Sequence, residues 1–443
     1  MEVMMMNLPR VQDEGVADVG VTTDIYDEDA AGRQQYAPVP GTRLKEQYVR
    51  FGVDDQLPYE IIRKIGQDEV TSQNKLFNVM TCYGGGLEMA DVTTGEVSTD
   101  PDVRRFVRRS SLPQYFLEQI TDMKYFYFSV VLVILSKDGS VVNRLVPLEA
   151  CYCRLQKADK DGRVKYLYYG NFRNGLPKKV ARYPLLDLDD PIGNLMGLMG
   201  KEPLANGQRI EKPSATRVWA MLLRYPTAGM QYYPVPYYSS IFRGGSYDEK
   251  RLIAAAKRSS IKNLATVKYQ IEIERGYWDR ICNEEGLTDP VARQKRIDRE
   301  RQNIRDFVTG VHNSGKAWVT SFYMNPDGKE VHDVKVVNLE HAKAGGDYAD
   351  ETNVACNTLC FGEGVHPNLV GAVPGKSQMN NSGSDKRELF TMKQALEKSF
   401  HDILLLPLEL VCEYNGWENV KPRVPMIMLT TLDEHTDAKK VDV

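Results

Sequence analysis

The residues best placed to do chemistry lie in one run: Phe361-Gly-Glu-Gly-Val-His-Pro-Asn-Leu-Val-Gly-Ala-Val-Pro-Gly-Lys-Ser-Gln-Met-Asn-Asn-Ser-Gly-Ser-Asp385. Its body offers one cation, Lys376, among the amides and hydroxyls of Ser377, Gln378, Asn380, Asn381, Ser382 and Ser384. Such groups touch phosphate oxygens weakly and release them, a chemistry suited to a polyanion that moves. The Gly, Pro, Asn and Ser content predicts a loop. Loops of this length are uncommon in compact domains and mark either function or disorder. Both flanks are strongly patterned, so a mobile loop held between rigid helices is expected.

Other constellations stand elsewhere in the chain. Gly371-Ala-Val-Pro-Gly-Lys376-Ser377 is close to a nucleotide-phosphate loop, but only three residues separate its first glycine from the Gly-Lys pair, where that loop has four. Cys151 and Cys153 alternate as on a strand, and Cys356 and Cys360 lie four apart as on a helix face. Neither pair has a second set of ligands nearby, so packing is the expected role. His312, His332, His341 and His366 are scattered, without a nucleophile or carboxylate at readable spacing. No catalysis and no cofactor or metal is called for. Arg293, Lys295, Arg296, Arg299, Arg301 and Arg305 are interleaved with Asp298, Glu300 and Asp306. That helix is either a solvated one with local ion pairs or a docking surface for another protein.

A chain of 443 residues suggests two or three domains or layers, and 42% hydrophobic with 26% charged residues is a folded composition. No apolar run is long enough to span a membrane, and no secretory signal is visible at the N-terminus. Seven cysteines suit a reducing compartment. A net charge of -3 excludes tight wrapping of nucleic acid on basic surfaces.

The elements that must position the loop follow from the local pattern. Residues 1 to about 40 are acidic and irregular and read as an arm. Helices are predicted to open with Asp54-Asp-Gln-Leu-Pro-Tyr-Glu60 and run through Ile65, and to span 75–83 up to Gly84-Gly-Gly86, 101–109 and 112–124. Strands follow at 125–135, 141–145, 150–156, 163–169 and 217–223, with 191–213 as an irregular excursion. A helix over 246–264 carries Arg251, Lys257, Arg258 and Lys262. Then come strands at 268–274, 317–324 and 331–337 around a helix from Pro290 capped by Asp289, and a helix over 347–360. A long helix is expected over 386–414, bent at Pro407, and a last strand at 424–430.

In this order the elements resemble a tailed-bacteriophage portal protein, the head–tail connector at the unique capsid vertex. Four places carry the resemblance. The first is the helix ending at Tyr83-Gly-Gly-Gly-Leu87 and the aromatic strands leading to Leu145-Val-Pro-Leu148, similar to the family's wing. The second is the Tyr-Pro segment 232–238 feeding the helix at 246–264, like a first stem helix. The third is the strand–helix–strand insertion of 266–338, like the clip. The fourth is Cys360-Phe-Gly-Glu-Gly-Val-His-Pro-Asn-Leu-Val-Gly371, like the turn after the second stem helix.

The fold class implied is α+β: a β-rich wing, two stem helices flanking a small α/β clip, a tunnel loop and a long C-terminal helix. The expected divisions are an acidic arm at 1–45, wing at 46–240, stem helix at 241–265, clip at 266–338 and second stem helix at 339–361. The tunnel loop takes 362–385, the long wing helix 386–416, and a strand and tail 417–443, with the crown small or absent. The resemblance further implies a homo-oligomeric ring, usually of twelve subunits, around a channel for double-stranded DNA. It serves packaging and genome ejection in the virion, and in the host cytoplasm during assembly. Lys376, Ser377, Gln378, Asn380, Asn381 and Ser384 would line the tunnel, with Arg251, Lys257, Arg258 and Lys262 on the stem helix. Arg293, Arg296, Arg299 and Arg301 would dock the terminase large subunit and later the neck or adaptor proteins, while the wing meets major capsid or scaffold protein. Such a protein is not itself an enzyme and involves no membrane. The alternatives are a minor capsid or neck adaptor protein, or a nucleotide-dependent enzyme using 371–377.

Overall fold

The computed structural model describes residues 36–39, 46–204, 207–230, 232–264, 269–309, 322–324, 330–338, 349–370 and 383–427. The chain divides into two compact units, Met1–Lys250 with Thr352–Val443, and Arg251–Glu351.

The first unit is organised by a sheet of order β5-β4-β9, formed by β4 (Phe128–Leu135), β5 (Val142–Leu148) and β9 (Val218–Arg224), all antiparallel. The run Phe-Ser-Val-Val-Leu-Val-Ile-Leu of β4 is almost wholly buried because both of its faces are covered. Side chains alternate across a strand, so they sort into two cores. Val131, Val133 and Leu135 enter one with Trp219, Met221 and Leu223, whereas Phe128, Val130 and Leu132 enter the other with Ala220 and Leu222. The first core is closed by α2 (Glu69–Tyr83), α3 (Pro101–Ser110), α4 (Leu112–Phe126), α5 (Pro191–Leu198) and the long α10 (Gly383–Asn415). The second is closed by α1 (Leu57–Gly66), the start of α6 (Ser246–Leu264), α9 (Ala349–Gly362) and a second sheet of order β6-β7-β8. That sheet comprises β6 (Cys153–Leu155), β7 (Tyr166–Tyr169) and β8 (Ala181–Pro184). Here Arg154 is fully buried. Its Nε donates to Asp55 Oδ1 at 2.5 Å, and its other nitrogens donate to the carbonyls of Cys151, Cys153 and Asp55 at 3.0, 2.8 and 3.1 Å.

In the second unit β10 (Tyr269–Ile273) pairs antiparallel with β13 (Val334–Asn338), and β11 (Phe322–Met324) with β12 (Glu330–His332). Helices α7 (Arg275–Glu284) and α8 (Pro290–Thr309) complete it, and Asp289 accepts from Ala292 N at 3.0 Å as the expected cap.

Several expectations change. The arm gives way at Tyr36, because β1 (Tyr36–Pro38) pairs with β2 (Gln47–Val49). Helix α2 starts six residues early, because Asp68 caps it by accepting from Val70 N and Thr71 N at 3.1 and 2.8 Å. The excursion at 191–213 contains α5, capped by Asp190 and opened by Pro191. Helix α7 was missed altogether, its short Glu274 cap being the available signal. The run 361–385 is partly helical: α9 extends to Gly362, a helical turn forms at Pro367–Val370, and α10 begins at Gly383 and runs through Pro407. The last strand, β14 (Val420–Arg423), pairs with β3 (Glu88–Asp91) and lies before the 424–430 stretch assigned to it. All seven cysteines are reduced and buried, in keeping with packing.

Candidate functional site

Both ends of the 371–382 segment are rooted in one charged interior between α2, α4, α9 and α10. The origin lies in the sequence of α2. Its buried residues include the polar Thr71, Asn74, Lys75, Asn78 and Thr81 beside Val70, Val79 and Cys82, while Leu76 and Met80 point outward. Lys75 Nζ lies 3.4 Å from Glu363 Oε1 and 2.9 Å from the centroid of the Tyr238 ring. Asn78 Nδ2 donates to Glu363 O at 3.2 Å, and Asn74 Nδ2 lies 3.6 Å from Cys360 Sγ.

The Gly-Glu-Gly triplet makes this burial possible. A Cβ on Gly362 would sit 2.3 Å from Ile241 Cγ2, and Gly364 adopts φ +65°, where side chains are strained. The chain thus turns sharply enough to send Glu363 inward while Phe361, 87% exposed, points out.

The other root is on α10. Glu397 pairs with Lys124 of α4 and, at 3.3 Å, with Lys393 one turn earlier. Lys124 Nζ stands 3.3 Å from the centroid of the Phe400 ring. Lys393 Nζ also donates to Gly364 O at 3.4 Å, a bond between residues 29 apart that closes the loop at its base. Gln394 exchanges two bonds with the backbone of Ile427, at 2.9 and 3.0 Å, and His401 Nε2 lies 2.7 Å from Cys82 O. A related pair sits at the N-terminus of α2, where Lys250 bridges Asp68 and, at 2.8 Å, Glu69.

Three ammonium groups thus share the interior with two carboxylates. Burial pushes the Glu363 carboxyl up to about 7, against the pull of Lys75, and pushes Lys75 down to about 8 despite Glu363. Burial likewise lowers Lys393. A carboxyl whose folded value is raised contributes stability that is complete below its ordinary value of about 4.5 and lost as pH rises through about 7. Asp122 is raised to about 7 as well, so a comparison with Glu363→Gln is needed to isolate one group. Between pH 5 and 7.5 the native chain is expected to lose more stability than the Gln variant. Parallel urea midpoints for the two would show that Glu363 does not titrate there.

The sequence-predicted residues are placed as follows. Lys376, Ser377, Gln378, Asn380 and Asn381 lie outside the described residues, and Ser384 falls in the first turn of α10. On α6, Arg251 and Arg258 are exposed and Lys257 is half-buried; the side chain of Lys262 is outside the described set. In the second unit most of the arginines on α8 face neighbours. Arg293 pairs with Asp279 at 2.7 Å, and Arg296 Nε reaches both oxygens of Glu285 at 2.8 and 3.0 Å with Nη1 on Glu300 at 2.7 Å. Arg301 stacks on Trp278 at 5.1 Å, and Arg299 is exposed. Local ion pairs thus hold Arg293 and Arg296, and Arg301 also lies 3.7 Å from Asp298. Among the described residues no His, Cys, Asp and Glu group is arranged to hold a metal, and no helix is long and apolar enough to cross a membrane.

Sequence reasoning missed Lys75, Lys124, Glu363, Lys393 and Glu397. The available signal was the inverted pattern of α2, in which charged and amide residues occupy the positions a core-facing stripe needs.

No family model and no curated protein matches the sequence. Solved structures do match. A chain in the neck of an empty gene transfer agent particle, computed with C6 symmetry, aligns over 90% of this chain and 87% of its own with TM-score 0.53 at 13% identity. A chain of the native gene transfer agent virion and one of its neck computed with C12 symmetry each align over 91% of this chain and 89% of theirs, again with TM-score 0.53 and 13% identity. The protein has the α+β fold of these particle chains.

Proposed function

We propose that the chain is a portal protein: a ring-forming structural component of a phage-like head–tail junction that conducts double-stranded DNA. One observation carries this reading, the shared fold over nine-tenths of the chain with chains of gene transfer agent necks and virions. A ring of twelve is supported by the C12 symmetry in which one such neck was computed.

The exposed face of the candidate site adds support. Helix α2 presents Leu76 and Met80, α9 presents Val354 and Phe361, and α10 presents Met392 and Leu396, each pair on one side of its helix. Apolar residues exposed side by side in this way suit burial against a second copy. A heterologous contact repeated by rotation closes into a ring when its angle fits.

In this proposal residues 362–385 are the tunnel loop, between α9 and α10. Lys376 and the amides and hydroxyls of Ser377, Gln378, Asn380, Asn381 and Ser384 make brief contacts with passing phosphates. The buried Lys75–Glu363 and Lys124–Glu397–Lys393 pairs fix both roots, so force on the loop is resisted by the whole helical layer. Residues 266–338 are the clip, with Arg299 and Arg301, both exposed on α8, offered to the terminase motor. Arg251, Lys257, Arg258 and Lys262 belong to the stem helix, and neck and capsid proteins are the remaining partners.

Deleting Ser377–Ser384 tests the assignment. Rings should still assemble, by light scattering and negative-stain microscopy, while DNA packaging or retention falls at least tenfold. Loss of assembly in the deletion would make the segment structural, and unchanged packaging would remove it from the DNA path.

A further inference from the structure

A cavity of about 390 Å³ opens on the first unit, lined by Leu87, Met89, Val97, Val103, Val107 and Leu112. Its volume is in the range of about 300–1,000 Å³ typical of ligand sites. Val97 is exposed, so the cavity is open to solvent, and exposed apolar lining of this kind gains free energy when covered. Arg104 and Arg108 also line it. They belong to α3, whose outer face carries four exposed arginines in sequence pairs, 104 with 105 and 108 with 109. Arg105 pairs with Asp102 at 2.9 Å, and Arg109 donates to Asn143, next to the exposed Arg144 of β5. Glu88, the one carboxylate of the lining, is held by Arg423 at 2.9 Å. An oily hollow bordered by unbalanced positive charge asks for an occupant with aliphatic and acidic groups side by side.

We propose that this occupant is the N-terminal arm, residues 1–35, of the same or a neighbouring copy. The arm holds eight carboxylates (Glu2, Asp13, Glu14, Asp18, Asp24, Asp27, Glu28, Asp29) against two arginines. Ahead of most of them stands Val3-Met-Met-Met-Asn-Leu8, and methionine fills irregular apolar space readily. In this proposal the apolar run 3–8 matches the lining of the cavity, and the carboxylates between Asp13 and Asp29 match the arginine face of α3. Reach is not limiting: the residues from Leu8 to Tyr36 span on the order of 90 Å when extended. Nucleic acid would satisfy the arginines but brings nothing for the hollow.

Amide hydrogen exchange on the full chain tests this. Arm residues 3–29 should be protected, and a chain lacking residues 2–29 should exchange at least tenfold faster over 101–112. Arg104→Glu with Arg108→Glu, both exposed and safe for folding, should strip protection from the arm. Adding Asp24→Arg, Asp27→Arg and Asp29→Arg should restore it. The inference is overturned if the native arm exchanges at unprotected rates, if the arginine variant leaves its protection unchanged, or if 101–112 is slowed only when a DNA duplex is added. Light scattering on the same samples keeps this apart from the ring. A solitary chain with a protected arm would sink the ring alone, and a ring with an unprotected arm would sink the docking of the arm alone.

Discussion

Replacing Glu397 by alanine is expected to lower unfolding stability by about 3–5 kcal/mol, the effect of removing one partner from a buried ion pair. The effect is large because Glu397 serves two ammonium groups, the buried Lys124 and the half-buried Lys393. Without it the two cations repel each other in a place where water cannot screen them. Against a total stability of about 5–15 kcal/mol for a typical domain, such a loss is a large fraction. Urea denaturation followed by the emission of Trp219 and Trp417, both in the first unit, measures it. The triple change Glu397→Leu, Lys124→Met and Lys393→Met should recover most of the loss, since apolar residues of similar volume commonly replace buried ion pairs without penalty. A drop under about 1 kcal/mol for the alanine variant would mean that the interior is wetter than its geometry indicates. Because Lys393 also holds Gly364, the alanine variant should loosen the base of the 371–382 segment as well.

Introducing aspartate at Phe361 and Leu396 together is expected to abolish assembly while leaving the isolated chain folded. Both side chains are exposed, at 87% and 69%, so each makes few contacts within its own chain. Surface substitutions of this kind change stability by about 0.5 kcal/mol or less. In an assembled ring the same positions would be buried, and a carboxylate there must be desolvated without a partner. Losing an aromatic or aliphatic anchor at such a site costs about 2 kcal/mol or more, roughly thirtyfold in affinity, at every interface of the ring. Sedimentation should show a single chain of 50.2 kDa with native circular dichroism. Undiminished rings would place the subunit contact on other faces and leave these stripes unexplained.

Much of the fold was legible locally. The proline starts of α3, α4 and α8, the aspartate caps of α3 and α8, and the β-branched and aromatic run of β4 are short-range signals that the folded chain obeys. Helix α6 coincides with its predicted span because nothing beyond its own periodicity was needed. The misses have a common cause. The short-range pattern of α2 does not tell which of its faces is buried; that is settled by what packs against a helix, and Glu363, just after α9, gives Lys75 of α2 its partner. The strand at Val420–Arg423 forms there because β3, more than three hundred residues earlier, supplies its partner.

What the amino-acid order settled alone was the inventory and the turns: which stretches wind or extend, where Gly362 and Gly364 permit a sharp reversal, and where a run without regular pattern separates two helices. Only the folded chain decided that Glu363 meets Lys75 and that Glu397 meets Lys124, across separations of hundreds of residues. Periodicity assigns a residue to a side of its own element. Coulomb pairing at 3–4 Å depends on which elements come together, and that is set by the sum of packing over the whole molecule.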